Sequence, residues 1–176
     1  RVRAIHERIR GRVSEDVGAF KRGALYLAHD ARALLWVHAT LVETSVQLYD
    51  ACVVNLSEAE RDQFWQGSKR FARLFGIPDD VLPSDWGDFR RYWDETVASD
   101  EIAVGRPALE MAEFLLGGKP TRSMRWYRRF TAGLLPQKLR APFGLPDDPE
   151  DRASFESSLR AIRRVYPRLP ARLRYI

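Results

Sequence analysis

Cysteine is almost missing from this chain: Cys52 is the only one among 176 residues. A single cysteine rules out an internal disulfide, Cys-rich zinc and iron–sulfur sites, and the C-x-x-C-H attachment of a c-type haem. No continuous apolar run reaches the length of a membrane-spanning helix, so no transmembrane segment is expected in the chain. H-E-x-x-H, Glu-x-x-His pairs and a two-His-one-carboxylate spacing are absent, which leaves a non-haem metal site with little support. G-x-S-x-G, the P-loop and G-x-G-x-x-G are absent too. Clean apolar–polar alternation over a strand length is nearly absent, and that disfavours a sheet.

What the sequence does have is helical periodicity, in a chain 45% apolar and 30% charged. Such a composition suits one compact domain spanning residues 1–176. Val2, Ile5, Ile9 and Val13 form a narrow stripe that predicts a first helix. Residues 30–54 predict a long helix with a wide inner face of Leu34, Leu35, Leu41, Val42, Val46, Leu48 and Tyr49. Ser57 and Glu60 form a capping box that opens a third helix, with Phe64, Trp65, Phe71, Leu74 and Phe75 inside, and Gly76 and Pro78 end it. Further helices are expected from Ser84, from Pro107 to Leu116, over residues 124–135 and from Asp148-Pro149. The fold class is all-α, with about seven helices. The chain opens inside a helical pattern, so it is expected to be a segment of a longer protein.

Charge is unevenly spread. The chain carries 29 Lys and Arg against 24 Asp and Glu, and the basic excess lies after residue 118. A basic tail of this kind meets nucleic acid, anionic lipid, a cofactor carboxylate or the acidic first half of the chain. The tract from Arg122 to Arg129 mixes Arg with Trp126 and Tyr127, a pattern that stacks on bases or contacts phosphates. An ordinary amphipathic helix has the same look, and no nucleic-acid partner is expected.

The histidines are the candidate chemical residues. On a helical wheel His6 falls at the edge of the first apolar stripe. His38 falls in the middle of the long helix's inner face, among Leu34, Leu41, Val42 and Tyr49. His29 precedes a helix cap and is expected to be solvated. A histidine bordering a core is commonly satisfied by a carbonyl or a buried water. Haem is the metal group that asks only one protein ligand and an apolar slot, and two inward-facing histidines on separate helices permit it. Cys52 reads as a small buried hydrophobe, and Asp79-Asp80 and Asp147-Asp148 as helix caps.

Several stretches together resemble one family. Val2-Arg3-Ala4-Ile5-His6 through Gly11 is similar to its "VRxIHxxVxG" helix. Tyr26 to Asp30, followed by Leu34-Leu35-Trp36-Val37-His38-Ala39-Thr40-Leu41-Val42, is similar to its "YxAxDPxLLxWVHATLV" signature, with Ala31 where that signature has Pro. Leu74 to Pro78, Leu134-Leu135-Pro136 through Arg140, and Leu169-Pro170 through Arg174 resemble its later elements in the same order. The family contains rubber oxygenase (latex-clearing protein) and the MpaB-type oxygenase that shortens a prenyl chain. Its Arg and Thr element upstream of the first helix is not within this chain.

The resemblance implies a helical domain with a globin-like core that binds haem b, and hence an iron-dependent oxidoreductase. It further implies O2 as co-substrate and an apolar, isoprenoid-type molecule as substrate. The family's axial histidine maps onto His6, which makes His6 the expected metal ligand, and His38 maps into the haem environment. The alternative is a non-catalytic protein of the same fold that binds haem or an apolar ligand. A cytoplasmic location is expected, since nothing in the chain calls for oxidising surroundings.

Overall fold

In the computed structural model the described residues are 8–119, 121–170 and 172. They are mostly helical, with one small sheet. The sheet is a hairpin of β1 (Arg10–Arg12) and β2 (Leu25–Leu27), antiparallel, with Gly11 opposite Tyr26. This corrects the helix expected over residues 1–13 within its described part. Ile9 and Val13 lie four residues apart, and positions four apart share a face in a strand as well as in a helix. Gly11 lets the Tyr26 ring lie over the hairpin, because a Cβ there would sit 2.6 Å from the Tyr26 hydroxyl. The rest of that prediction, including His6, lies outside the described residues.

Among the described residues seven α-helices follow: α1 (Ala31–Cys52), α2 (Glu58–Phe75), α3 (Trp86–Ala98), α4 (Arg106–Leu116), α5 (Arg122–Leu134), α6 (Gln137–Arg140) and α7 (Pro149–Val165). Single 3-10 turns occupy Asp79–Val81 and Tyr166–Arg168. Capping chemistry sets most of the boundaries. Ser57 accepts from Glu60 N while Glu60 accepts from Ser57 N, so both ends of the capping box are satisfied. Gly76 closes α2 at φ 91°, a backbone angle that favours glycine. Asp85, one residue after the expected Ser84, caps α3 by accepting from Asp88 N, and Asp148 caps α7 by accepting from Asp151 N.

The chain divides into two compact units. The first comprises the described residues through Val46 together with Leu56–Ala103. Its core joins Leu35, Ala39, Val42 and Val46 of α1 to Trp65 and Ala72 of α2, Trp86, Phe89 and Trp93 of α3, and Ile77 and Leu82 between α2 and α3. Trp65 and Phe89 are wholly enclosed, with ring centroids 4.7 Å apart, and Trp86 lies 4.8 Å from Phe89. Trp36 and Trp93 stack at 5.0 Å and 20°. Burying each such ring contributes about 1.5–3 kcal/mol.

The buried stripe of α1 is narrower than its sequence predicts. Leu35, His38, Ala39, Val42, Glu43 and Val46 are buried, whereas Leu41 and Tyr49 are 52% and 44% exposed. The aromatic side of α2 narrows in the same way, to Trp65, with Phe64, Phe71 and Leu74 exposed. Glu43 is tolerated inside because Arg90 Nη1 donates to its Oε2 at 2.6 Å.

The second unit comprises Gln47–Asn55 and the described residues from Val104 onward. There α5 packs on α7 through Phe130 and Phe155, edge to face at 5.4 Å, with Ala132, Leu139 and Leu145 buried. Helix α4 has no buried residue, and its Phe114 is 83% exposed.

Candidate functional site

In the first unit, Leu34, Val37, His38 and Leu41 follow one another at the i, i+3, i+4, i+7 spacing that places side chains on one face of a helix. Together with Ala28, Ala33, Phe71, Phe75 and Ile77 they line a groove of about 310 Å³. That volume is at the lower end of the range for small-molecule sites. Every lining residue but His38 is apolar. The far wall is built by the end of α2: Gly76 turns the chain, and Ile77 N donates to Ala72 O at 3.2 Å. Arg73 Nε then ties the turn to Asp79 Oδ1 at 2.7 Å.

His38 is 5% exposed. Its ring lies 5.7 Å from the Trp65 ring and 6.1 Å from the Phe71 ring. Nε2 is 3.2 Å from Ser68 Oγ on α2. Nδ1 is buried and has no hydrogen-bond partner among the described residues. Desolvation lowers the His38 pKa from its ordinary value, which favours the neutral imidazole. A neutral imidazole nitrogen in apolar surroundings has the chemistry to ligate a metal or to accept a hydrogen bond.

His29 is exposed, as expected. The structure therefore brings His38 to a cavity and leaves His29 in solvent. Among the described residues no three His, Cys, Asp or Glu side chains come together as a metal site. Ser68 and Trp65 were not legible as site residues. The only sequence signal was the three-residue step between them on a helix, which lets a serine hydroxyl reach back to a carbonyl.

The second unit holds the other polar cluster. Arg129 pairs with Asp151, and Arg140 and Arg152 reach Asp147 at 2.7 and 3.1 Å. Those two guanidinium groups hold the Asp147 carboxyl below its ordinary pKa. Asp148 is a cap, as expected, but Asp147 is an ion-pair partner. The Arg-aromatic tract is engaged within its own unit. Trp126 Nε1 donates to Ser158 Oγ at 3.2 Å, and Arg128 donates to Leu116 O and Gly144 O at 3.2 and 2.8 Å. Cys52 is half-buried, and burial pushes its thiol pKa up, with Arg163 opposing.

No helix among the described residues is long and apolar enough to cross a membrane. The family model described as ER-bound oxygenase mpaB/B'/rubber oxygenase, catalytic domain, matches residues 1–164. An uncharacterised protein of Mycobacterium bovis and another of Mycobacterium tuberculosis are each 27% identical over 128 residues, covering 73% of this chain and 46% of the relative. The chain thus spans about half the length of the curated relatives it matches. No solved structure matches it.

Proposed function

From the premise that the chain belongs to the mpaB/rubber oxygenase catalytic-domain family, we propose that it is the core of a haem b-dependent oxygenase acting on an apolar, isoprenoid-type substrate with O2. The observation that carries this reading is His38, which lines an otherwise apolar groove and whose buried Nδ1 has no hydrogen-bond partner among the described residues. Haem asks for one nitrogen ligand and an apolar slot. The described residues fit one face of such a slot, with His38 as the sole polar group and Leu34, Val37, Leu41, Phe71 and Phe75 as its wall.

Haem iron, when bound, supplies the dioxygen chemistry. The chain's own residues supply the surroundings. The apolar wall excludes water and holds a hydrocarbon chain by contact, which favours an alkene over a polar substrate. His38, kept neutral by burial, offers a lone pair. Two imidazoles would be candidates to hold the iron in this reading: His6, on its match to the family's histidine helix, and His38, on its buried Nδ1 without a hydrogen-bond partner among the described residues. A globin-like arrangement around the haem is part of the same proposal.

An absorbance spectrum of the full-length protein, expressed with haem supplied, tests it beside His6→Ala and His38→Ala variants. The expected result is a strong Soret band at about one haem per chain, lost in the variant that removes the histidine that would hold the iron and shifted in the other. A folded, colourless protein that takes up no added haemin overturns the oxygenase reading and leaves a protein that binds an apolar ligand. With haem bound, oxygen uptake on addition of isoprenoids is the test of turnover.

A further inference from the structure

We propose that Ser68 is a positioning residue that locks His38 as the Nε2–H tautomer and so leaves Nδ1 as a bare lone pair. A serine hydroxyl has one proton and two lone pairs. Ser68 Oγ lies 2.8 Å from Trp65 O, and because a carbonyl only accepts, the single proton is committed there. The same oxygen, 3.2 Å from His38 Nε2, has only lone pairs left to offer the ring. A proton on Nε2 completes that contact, whereas a lone pair on Nε2 would oppose a lone pair on oxygen.

The anchor of this relay is rigid. The Trp65 ring is fully enclosed, and its Nε1 donates to Pro83 O at 3.0 Å. Ser68 sits one turn along α2 from that anchor, which holds in place the carbonyl its hydroxyl donates to. The relay therefore runs from His38 Nε2–H to Ser68 Oγ–H to Trp65 C=O. Outer partners of this kind fix which nitrogen of a histidine ligates a metal. On the reading of the groove given above, on which this proposal rests, Nδ1 is then the nitrogen left with a lone pair at a residue that lines the groove.

The test is the tautomer itself, read from long-range proton–nitrogen correlation spectra of the full-length, haem-free protein with nitrogen-15-labelled histidine. His38 is assigned by its loss in His38→Gln. The expected wild-type pattern is a protonated Nε2 and an unprotonated Nδ1. Ser68→Thr keeps that pattern, and Ser68→Ala loses it to a mixture or to the Nδ1–H form. Ser68→Cys, whose sulfur is a weak acceptor, serves if the alanine variant fails to fold, and should move the same way. A wild-type Nδ1–H tautomer, or an unchanged pattern in both Ser68→Ala and Ser68→Cys, overturns the proposal.

Haemin titration supplies the second readout. Ser68→Ala should weaken haemin binding by about 10–100-fold, with Ser68→Thr close to wild type. Equal affinity in wild type and Ser68→Ala overturns the positioning role. If no form takes up haemin, the haem reading fails by itself, while the expected tautomer pattern still confirms the relay.

Discussion

Replacing Gly133 with alanine should destabilise the protein, although Gly→Ala within a helix ordinarily stabilises. Gly133 lies in the last turn of α5, under the ring of Phe155 on α7. A Cβ placed there would stand 2.4 Å from Phe155 Cγ and 2.5 Å from Cδ1 and Cδ2. Carbon atoms in contact sit at about 3.5–4.0 Å, so the ring must retreat by roughly 1 Å or the helices must part. Phe130 blocks one way out, because it meets Phe155 edge to face at 5.4 Å. Overpacking of this kind costs about 1–3 kcal/mol. The helix-propensity gain offsets at most about 1 kcal/mol, less in a last turn. The expected net loss is therefore about 1–2 kcal/mol. Gly67 is the internal control, since it is exposed, in the middle of α2, with nothing within 4 Å of a built Cβ. Gly67→Ala should gain about 0.5–1 kcal/mol. Urea unfolding followed by far-ultraviolet circular dichroism measures both. A Gly133→Ala protein as stable as wild type, or changes of the same sign at the two sites, would refute the packing argument.

Acid should remove the stability that depends on neutral His38. Its folded pKa is lowered by burial while the unfolded ring titrates near its ordinary value, about 6.5. That contribution is complete above the unfolded pKa and is lost as pH falls through the folded one. Unfolding free energies of wild type and His38→Gln, compared between pH 8 and pH 5, should show wild type losing more toward acid; parallel curves would contradict the burial. The Cys52 thiol, pushed up by burial, should alkylate slowly at pH 7. Its rate of reaction with iodoacetamide should reach half its maximum above the ordinary thiol pKa of about 8.5, and a midpoint below that would count against it.

Local chemistry was the legible part of the sequence. Ser57 with Glu60, Gly76, and Asp148-Pro149 each act on neighbours within a few residues, so their helix ends could be read directly. His38 was also legible as inward-facing, because it shares a helical face with Leu34, Leu41 and Val42. Features that need a distant partner were not. Glu43 reads as a solvated charge until Arg90, on another helix, meets it. The Ser68 contact to His38 spans 30 residues and two helices, and no spacing rule reaches that far. Asp151 looks like an ordinary first-turn carboxylate, yet it is buried and paired with a half-exposed Arg129. The β1 strand failed for a different reason, since Ile9 and Val13 satisfy both periodicities and the pairing of Gly11 with Tyr26 shows only in the fold. Leu41 and Tyr49 show the limit of a helical wheel, which gives the direction of a side chain but not whether another element covers it.

The placement of the indoles gives the molecule an optical asymmetry. Of its five tryptophans, Trp36, Trp65, Trp86 and Trp93 belong to the first unit and Trp126 alone to the second. Emission from the chain is thus weighted toward the unit that contains His38. The stacked Trp36 and Trp93 rings are close enough to couple their electronic transitions and give a near-ultraviolet dichroism couplet that vanishes when α1 and α3 separate. A Trp126→Phe protein would report on the first unit by light alone, and one keeping only Trp126 would report on the second. Loss of order in each half can then be followed without attaching any dye.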